Sequence, residues 1–214
     1  MNNTRPVHIN QKDKTVKNEL CLTIPELKPK EFYNNLDWRA RQKHTSTTSC
    51  PILTLEVATV LGSFIGKRHT LDAGAGTGFI SHHLQNLGAK NIVASDVGGE
   101  EFSKYGMKSV YKRDHVGNSL DLLPGNFEIV LLSWPPYLEP FAFEVVKKMA
   151  LGTILIYNGE GWGGCTGDDL FHEYLEDRFT VMENITDQLG VHHARFSGIH
   201  DRWTVYRKTI NEVL

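Results

Sequence analysis

The 214-residue chain has few of the cysteines and none of the long apolar runs that mark many secreted and membrane proteins. Its three cysteines, Cys21, Cys50 and Cys165, are an odd number, and their spacing matches no metal-ligand pattern. This argues against a disulfide framework and favours reduced thiols inside a cell. No apolar run is long enough to cross a bilayer, and the polar N-terminus does not resemble a secretory signal. We therefore expect a cytoplasmic protein, or a nuclear one in a eukaryote, without a membrane partner.

The chain also lacks a marked excess of charge. Lysine and arginine number 23, aspartate and glutamate 25, and the formal net charge is −2. Overall charge therefore gives no indication of a nucleic-acid partner, although a local basic patch can suffice. Arg39, Arg41 and Lys43 form one such stretch, for which a solvated surface is the favoured interpretation.

Length and pattern predict one principal domain with an N-terminal extension. Residues 1–50 form a tail and appendage, of which residues 1–20 are polar and residues 21–50 are expected to pack on the domain. The main domain spans residues 51–214. It opens with apolar residues at helical spacing from Leu53 to Ile65, which predict an amphipathic helix ending near Gly66.

Strand and helix patterns then alternate along the chain. Such alternation predicts an α/β fold with a doubly wound, mostly parallel sheet. The predicted strands are His69–Asp72, Ile92–Ser95, Ser109–Tyr111, Phe127–Ser133 and Thr153–Tyr157, and helices include Phe79–Leu87 and Phe141–Met149. Two further strands, Phe179–Met182 and Arg202–Tyr206, are predicted to form a C-terminal antiparallel hairpin joined by a loop containing glycine and histidine.

The strongest motif follows the first predicted strand, in the sequence TLDAGAGTGFI from Thr70 to Ile80. Glycines allow a sharp turn and close approach of a ligand to the backbone, and the amides of the following helix can bind polar groups. A dinucleotide fingerprint would require a third glycine at position 79, where this chain has Phe79. The pattern D-x-G-x-G-x-G instead resembles the first motif of class I S-adenosylmethionine (SAM)-dependent methyltransferases.

The resemblance spans residues 51–206 and implies a SAM site. It implies that Asp72 holds the methionine end of SAM and that Gly74, Gly76 and Gly78 make room for it. Asp96 ends the next strand, about 20 residues further on, where an acid binds the ribose in this architecture. Asp114 is the expected adenine contact, with Asp121 a nearby alternative.

The loop after the fourth predicted strand reads Ser133-Trp134-Pro135-Pro136-Tyr137. It resembles the [Asn/Asp/Ser]-Pro-Pro-[Tyr/Phe/Trp] signature of amino-group methyltransferases, except that Trp134 stands where that signature has its polar acceptor. We interpret Ser133, Trp134 and Tyr137 as a wall of the active site, with cation–π attraction of the aromatics to a sulfonium. The alternative is a loop that closes the strand, with both aromatic residues simply packed.

The loop after the fifth predicted strand, Asn158–Asp169, is rich in glycine, which indicates a ligand-shaped loop or a lid. Glu160 is a candidate proton acceptor there, as are His192, His193 and His200 near the last strand. Thr166 and Asp169 predict a capping box for the helix Asp168–Leu175. Asp168 and His172 have the spacing of a metal pair, but solvated positions are favoured and no metal site is predicted.

These features predict transfer of a methyl group from SAM by in-line displacement to an unidentified acceptor. The acceptor is a small molecule, a protein or RNA, and an amino nitrogen is one candidate atom. Two alternatives remain open: a non-catalytic SAM-binding module, and a SAM-using enzyme that transfers aminopropyl or cleaves SAM. The glycine spacing disfavours a nicotinamide-dependent oxidoreductase.

Overall fold

The computed structural model describes residues 38–46, 48–98 and 111–210, apart from the side chains of residues 38–40 and 43. Helices and strands alternate through these ranges, as the sequence predicts. The helices are α1 Trp38–Thr45, α2 Leu55–Ile65, α3 Phe79–Asn86, α4 Phe141–Lys148, α5 Asp169–Arg178 and α6 Glu183–His192. The strands are β1 Thr70–Ala73, β2 Ile92–Asp96, β3 His115–Val116, β4 Ile129–Ser133, β5 Ile154–Gly159, β6 Phe179–Val181 and β7 Arg202–Lys208.

The strands form one seven-stranded sheet in the order β3-β2-β1-β4-β5-β7-β6. The first five strands in this order pair in parallel, whereas β7 runs antiparallel to both β5 and β6. The predicted doubly wound, mostly parallel sheet with a C-terminal antiparallel pair is therefore confirmed. The order reverses between β1 and β4, which is the topological switch point where ligands bind in open α/β sheets.

Helices cover both faces of the sheet and create two apolar clusters. In β4, Ile129 and Leu131 join one cluster, while Val130 and Leu132 join the other. Successive side chains of a strand point to opposite faces, and all four of these are buried. This is why β4 reads as an uninterrupted apolar run instead of an alternating pattern.

Polar side chains fix the ends of several helices. Thr54 caps α2 by accepting a hydrogen bond from the Val57 amide at 3.1 Å. At the other end of the fold, the buried Nζ of Lys208 donates to the carbonyl oxygens of Val146, Lys147 and Met149 at 3.0, 3.0 and 2.9 Å. The ammonium group thus satisfies the last carbonyls of α4 and complements the negative end of its dipole.

The structure differs from the sequence-based prediction at three places. The strand predicted at Ser109–Tyr111 falls mostly outside the described residues, and β3 lies at His115–Val116. The segment between β6 and β7 contains helix α6, whose Ile185 and Leu189 are buried, whereas only a loop was predicted. The predicted Thr166–Asp169 capping box is wrong, because the Asp168 side chain caps α5 by accepting from the Phe171 amide at 2.9 Å.

The N-terminal appendage predicted over residues 1–50 lies mostly outside the described ranges. The part that is described contacts the main domain, as His44 on α1 packs edge-on against Phe79 at the start of α3. Among the helices of the described ranges, none combines the length and the apolar character needed to cross a membrane.

Candidate functional site

A cleft of about 330 Å³ opens at the carboxyl ends of β1, β2 and β4. Its lining comes from the glycine loop, the end of β2, the loop after β4 and the segment before α2. The lining residues are Thr48, Ser49, Cys50, Pro51, Asp72, Ala73, Gly74, Ala75, Gly76, Thr77, Ile80, Asp96, Val97, Asn118, Ser119, Ser133, Trp134, Pro135, Pro136 and Phe141. The cleft therefore contains Asp72, Gly74, Gly76 and Asp96 from the predicted cofactor set, and Ser133 and Trp134 from the predicted active-site wall.

The glycine loop packs closely against the side chain of Phe141, the first residue of α4. Gly74 has a φ of 70°, and a Cβ at this position would lie 3.1 Å from the ring of Phe141. The Gly74 amide donates hydrogen bonds to the Ser95 carbonyl in β2 at 2.9 Å and to Ser119 Oγ at 3.2 Å. Glycine is needed here both for the left-handed backbone and for the absence of a side chain.

Asp96 joins the end of β2 to the glycine loop. Its carboxylate accepts hydrogen bonds from the Gly76 amide and from the Gly98 amide, both at 2.9 Å. The side chain is 7% exposed and lies on the cleft wall. A carboxylate has about four acceptor positions, so two backbone bonds leave capacity for hydroxyl groups of a ligand.

Asp72 lies beneath the same loop and is almost completely buried. Burial raises its pKa to about 7; the hydrogen bond from Ser81 at 2.6 Å opposes this rise, and the nearby charge of Asp96 adds to it. A carboxyl group in such a site titrates near neutral pH and is sensitive to any positive charge brought into the cleft.

Two predicted cofactor residues do not line the cleft. Gly78 is the N-cap of α3 with a φ of 74°, and a Cβ there would lie 3.3 Å from Tyr111 Cβ. The lack of a side chain at Gly78 thus allows the chain at Tyr111 to pack closely against it.

Asp114 is an exposed residue. Its carboxylate accepts a hydrogen bond from the Ala94 amide at 3.0 Å and lies 3.6 Å from Lys112 Nζ. Asn118 and Ser119 line the cleft beyond β2 instead.

Ser133 and Trp134 lie at the end of β4 with their polar atoms already engaged. Ser133 Oγ donates to Asn158 Oδ1 at 3.3 Å, and Trp134 Nε1 donates to Asp201 Oδ2 at 3.2 Å. Trp134 has a φ of 50°, a left-handed conformation that is uncommon for a bulky side chain. The indole N–H is therefore bound by a residue that does not line the cleft.

Tyr137 and Glu160 are not brought to the cleft. Tyr137 is 54% exposed, and its backbone pairs with Gly167 in an isolated bridge. Glu160 is buried, with Oε2 accepting from the Cys165 amide and Oε1 from the His200 amide, each at 2.8 Å. Burial would raise the pKa of Glu160, but these hydrogen bonds outweigh it and lower the pKa below its usual value. Glu160 thus ties two loops together and is a poor proton acceptor.

The neighbouring polar residues of the glycine-rich loop are likewise engaged with each other. Thr166 Oγ1 accepts from the Glu160 amide at 2.8 Å and lies 2.7 Å from the Tyr157 hydroxyl. His172 is buried, with Nε2 3.0 Å from the Thr166 carbonyl, so the solvated position favoured for it is wrong. Within the part of the chain that the structure describes, no cluster of three or more metal-ligating side chains occurs.

The candidate histidines before β7 have structural contacts outside the cleft. His193 is buried, and its Nε2 lies 3.3 Å from Asp201 Oδ1. The His192 carbonyl accepts from Thr54 Oγ1 at 3.0 Å, and the His200 backbone amide binds Glu160.

Sequence reasoning missed the contribution of residues 48–51, which line the cleft although they precede α2. Thr77 Oγ1 donates to the Thr48 carbonyl at 2.7 Å and so holds this segment against the glycine loop.

Arg41 was expected on a solvated surface. Its guanidinium lies 4.5 Å from the Trp134 ring centroid and donates a hydrogen bond to the Cys50 carbonyl at 3.1 Å. The side chains of Arg39 and Lys43 are outside the described residues. No sequence signal pointed to these contacts.

The strand order and the antiparallel β7 are those of the Rossmann-like fold of class I methyltransferases, and solved structures share this fold. A Thermoplasma acidophilum protein designated 1320 is 16% identical over 90% of this chain and 97% of its own, with a TM-score of 0.50. Magnesium protoporphyrin IX methyltransferase from Synechocystis PCC 6803, solved with bound SAM, is 16% identical over 72% and 76% of the two chains, with a TM-score of 0.48.

The N-methyltransferase NodS from Bradyrhizobium japonicum WM9 is 14% identical, covers 79% of this chain and 96% of its own, and gives a TM-score of 0.48. These likenesses concern the fold. No protein-family model matches the chain, and no curated protein matches it.

Proposed function

We propose that this protein is a SAM-dependent methyltransferase that uses the cleft at the carboxyl ends of β1, β2 and β4. The observation that carries the proposal is the meeting of Asp72, the glycine loop and Asp96 with the Ser133–Pro136 wall in one cleft. A carboxylate at Asp96 suits the ribose hydroxyls. Asp72 suits the ammonium group of the methionine end, and the wall after β4 would border the sulfonium.

The reaction is an in-line displacement. A lone pair of the acceptor attacks the methyl carbon, the bond between carbon and sulfur breaks, and its electron pair stays on sulfur to give S-adenosylhomocysteine. The contribution of the protein is to position the two reactants and to exclude water. Arg41 covers one face of the Trp134 ring, so the other face is the one that would attract a sulfonium by cation–π interaction.

The chemistry of the cleft favours an acceptor that needs no strong base. Among the described residues that line it, the ionisable side chains are Cys50, Asp72 and Asp96. Burial raises the pKa of the Cys50 thiol, and the charge of Arg41 only partly opposes this, so the thiol stays protonated. Neutral amines and other acceptors that attack before they lose a proton fit such a site.

In this proposal SAM engages both carboxylates that line the cleft, which leaves no free lining carboxylate as a base for the acceptor. This also favours a second candidate, a SAM-binding module without turnover. Aminopropyl transfer and SAM cleavage differ from both in their products. Incubation with methyl-labelled SAM, and in parallel with decarboxylated SAM as the aminopropyl donor, is made in the presence of extracts of small molecules, proteins and RNA and separates the three. Labelled acceptor with S-adenosylhomocysteine supports methyl transfer, methylthioadenosine supports the other reactions, and tight binding without either product supports the module.

The SAM site itself is tested by titration calorimetry. We expect saturable binding of SAM and S-adenosylhomocysteine and none of NAD. Asp96→Ala should weaken binding by about 1–3 kcal/mol, as expected for lost hydrogen bonds to a charged acceptor. Asp114→Ala, which changes an acid outside the cleft, is the matched control and should leave affinity near that of the wild type. A folded wild-type protein that binds neither compound contradicts the proposal.

A further inference from the structure

Behind the wall of the cleft lies a chain of three side chains from distant parts of the sequence. Trp134 Nε1 donates to Asp201 Oδ2 at 3.2 Å, and Asp201 Oδ1 lies 3.3 Å from His193 Nε2. Asp201 and His193 have side chains only 2% and 3% exposed. A buried carboxylate needs such partners, and each of its oxygens has one here.

The charge of Asp201 is well supported in this position. Burial would raise its pKa, but the hydrogen bonds from His193 and Trp134 and the positive charge of Arg41 together lower it below the usual value. Asp201 is therefore an ionised acceptor, and charge-assisted hydrogen bonds are stronger than those between neutral groups.

Trp134 has an uncommon backbone conformation, which persists only where surrounding contacts hold the residue. Its φ of 50° is an uncommon conformation for a bulky residue. Three contacts hold the residue: its amide donates to the Asn158 carbonyl at 2.7 Å, Arg41 covers the ring, and Asp201 binds the indole N–H. Of these, the bond to Asp201 is the directional one that fixes the rotation of the ring.

We propose that Asp201, held by His193, is a positioning residue that fixes the indole of Trp134 as a rigid wall of the cofactor cleft. This inference rests on the proposed function. Asp201 does not line the cleft; it acts through Trp134. By engaging the indole N–H, it also ensures that the ring presents only its apolar surface to the bound ligand.

The first experiment is made on the ligand-free protein. The indole N–H of Trp134 is identified in ¹⁵N-labelled protein by its loss in Trp134→Phe, and its hydrogen-exchange rate is measured. We expect Asp201→Asn to accelerate exchange at least about tenfold, because the charge-assisted bond is weakened. His193→Gln should also accelerate exchange, because it removes the contact that holds Asp201 in place. Asp168→Asn makes the same change of carboxylate to amide at another hydrogen-bonded aspartate, the cap of α5, and should leave this exchange rate unchanged.

The second experiment measures the affinity for S-adenosylhomocysteine in a double-mutant cycle. If Asp201 acts through Trp134, Asp201→Asn and Trp134→Phe should each raise Kd about fivefold, and the double variant should raise it about fivefold, not 25-fold. A merely structural Asp201 would give effects that multiply.

The proposal is overturned if indole exchange is unchanged in both Asp201→Asn and His193→Gln, or if the two effects on Kd multiply. If Asp201→Asn does not fold, His193→Gln decides the exchange arm. Failure of the wild-type protein to bind S-adenosylhomocysteine would instead contradict the proposed function, and the exchange measurements would still show whether Asp201 fixes Trp134.

Discussion

The hydroxyl of Ser81 donates a 2.6 Å hydrogen bond to Oδ2 of Asp72, linking the first turn of α3 to the end of β1. The bond connects the helix that starts at the glycine loop with the acid that precedes it. It also stabilises the ionised form of a carboxyl group that burial would otherwise keep protonated.

The pKa of Asp72, which burial raises to about 7, predicts that SAM affinity depends on pH. Below pH 7 the carboxyl group is neutral and attracts the ligand ammonium less. Affinity should therefore rise by about tenfold between pH 5.5 and 7, a range in which the amine itself stays largely protonated. Calorimetry across this range checks the prediction, and Asp72→Asn should flatten the profile. A wild-type affinity that is constant over the range contradicts it.

The same titration should affect the stability of the ligand-free protein, with the sign set by the raised pKa. Because the folded protein holds this proton more tightly than the unfolded chain, the contribution of Asp72 to stability is fully present below about pH 4. This contribution to stability is lost as pH rises towards 7.

Ser81→Ala removes a hydrogen bond that lowers the pKa of Asp72, so it should move the rise in SAM affinity to higher pH. A shift to lower pH would contradict the assigned role of Ser81.

Glu160 should prove important for stability and not for ligand binding. Glu160→Gln leaves the amides of Cys165 and His200 with one acceptor oxygen between them, and its own NH₂ faces a donor. The free energy of unfolding should fall by about 1–3 kcal/mol, the cost of an unsatisfied buried group. Urea denaturation measures the loss, and calorimetry should give an unchanged Kd for SAM. Weaker SAM binding at unchanged stability would restore Glu160 to the site.

Lys208 provides a second stability test at the far end of the sheet. Lys208→Met keeps much of the apolar stem but leaves the three carbonyls of α4 without their donor. We expect a loss of about 2–4 kcal/mol in the free energy of unfolding. Lys90→Met, at an exposed position before β2, is the control and should change stability by no more than about 0.5 kcal/mol. Equal effects of the two substitutions would contradict the role of Lys208.

The parts of the site that could be predicted from the sequence are those encoded locally. The strand, glycine loop and helix from Thr70 to Asn86 follow one another directly, and Asp96 ends the next strand at the same edge of the sheet. Parallel pairing alone then brings Asp96 near Gly76. Ser133–Pro136 line the cleft for the same reason, because they end β4 or follow it directly.

The remaining features depend on contacts between distant residues. Trp134 and Asp201 are separated by 67 positions, so no local pattern indicates that they bond. Glu160 looks like a free acid in the sequence because its partners are backbone amides, which every residue has. Helix α6 escaped detection since only Ile185 and Leu189 are buried on it, too few to give a clear apolar stripe.

The hydrogen bond between Thr77 and Thr48 has a consequence for how the protein can be divided. Among the residues that the structure describes, the apolar core begins at Ile52, whereas the lining of the cleft begins at Thr48. A fragment that starts at Pro51 would keep the sheet and both apolar clusters. It would lack Thr48, Ser49 and Cys50, which line one side of the cleft. Among the described residues, those that form the sheet and its two apolar clusters therefore start later in the chain than those that line the cleft.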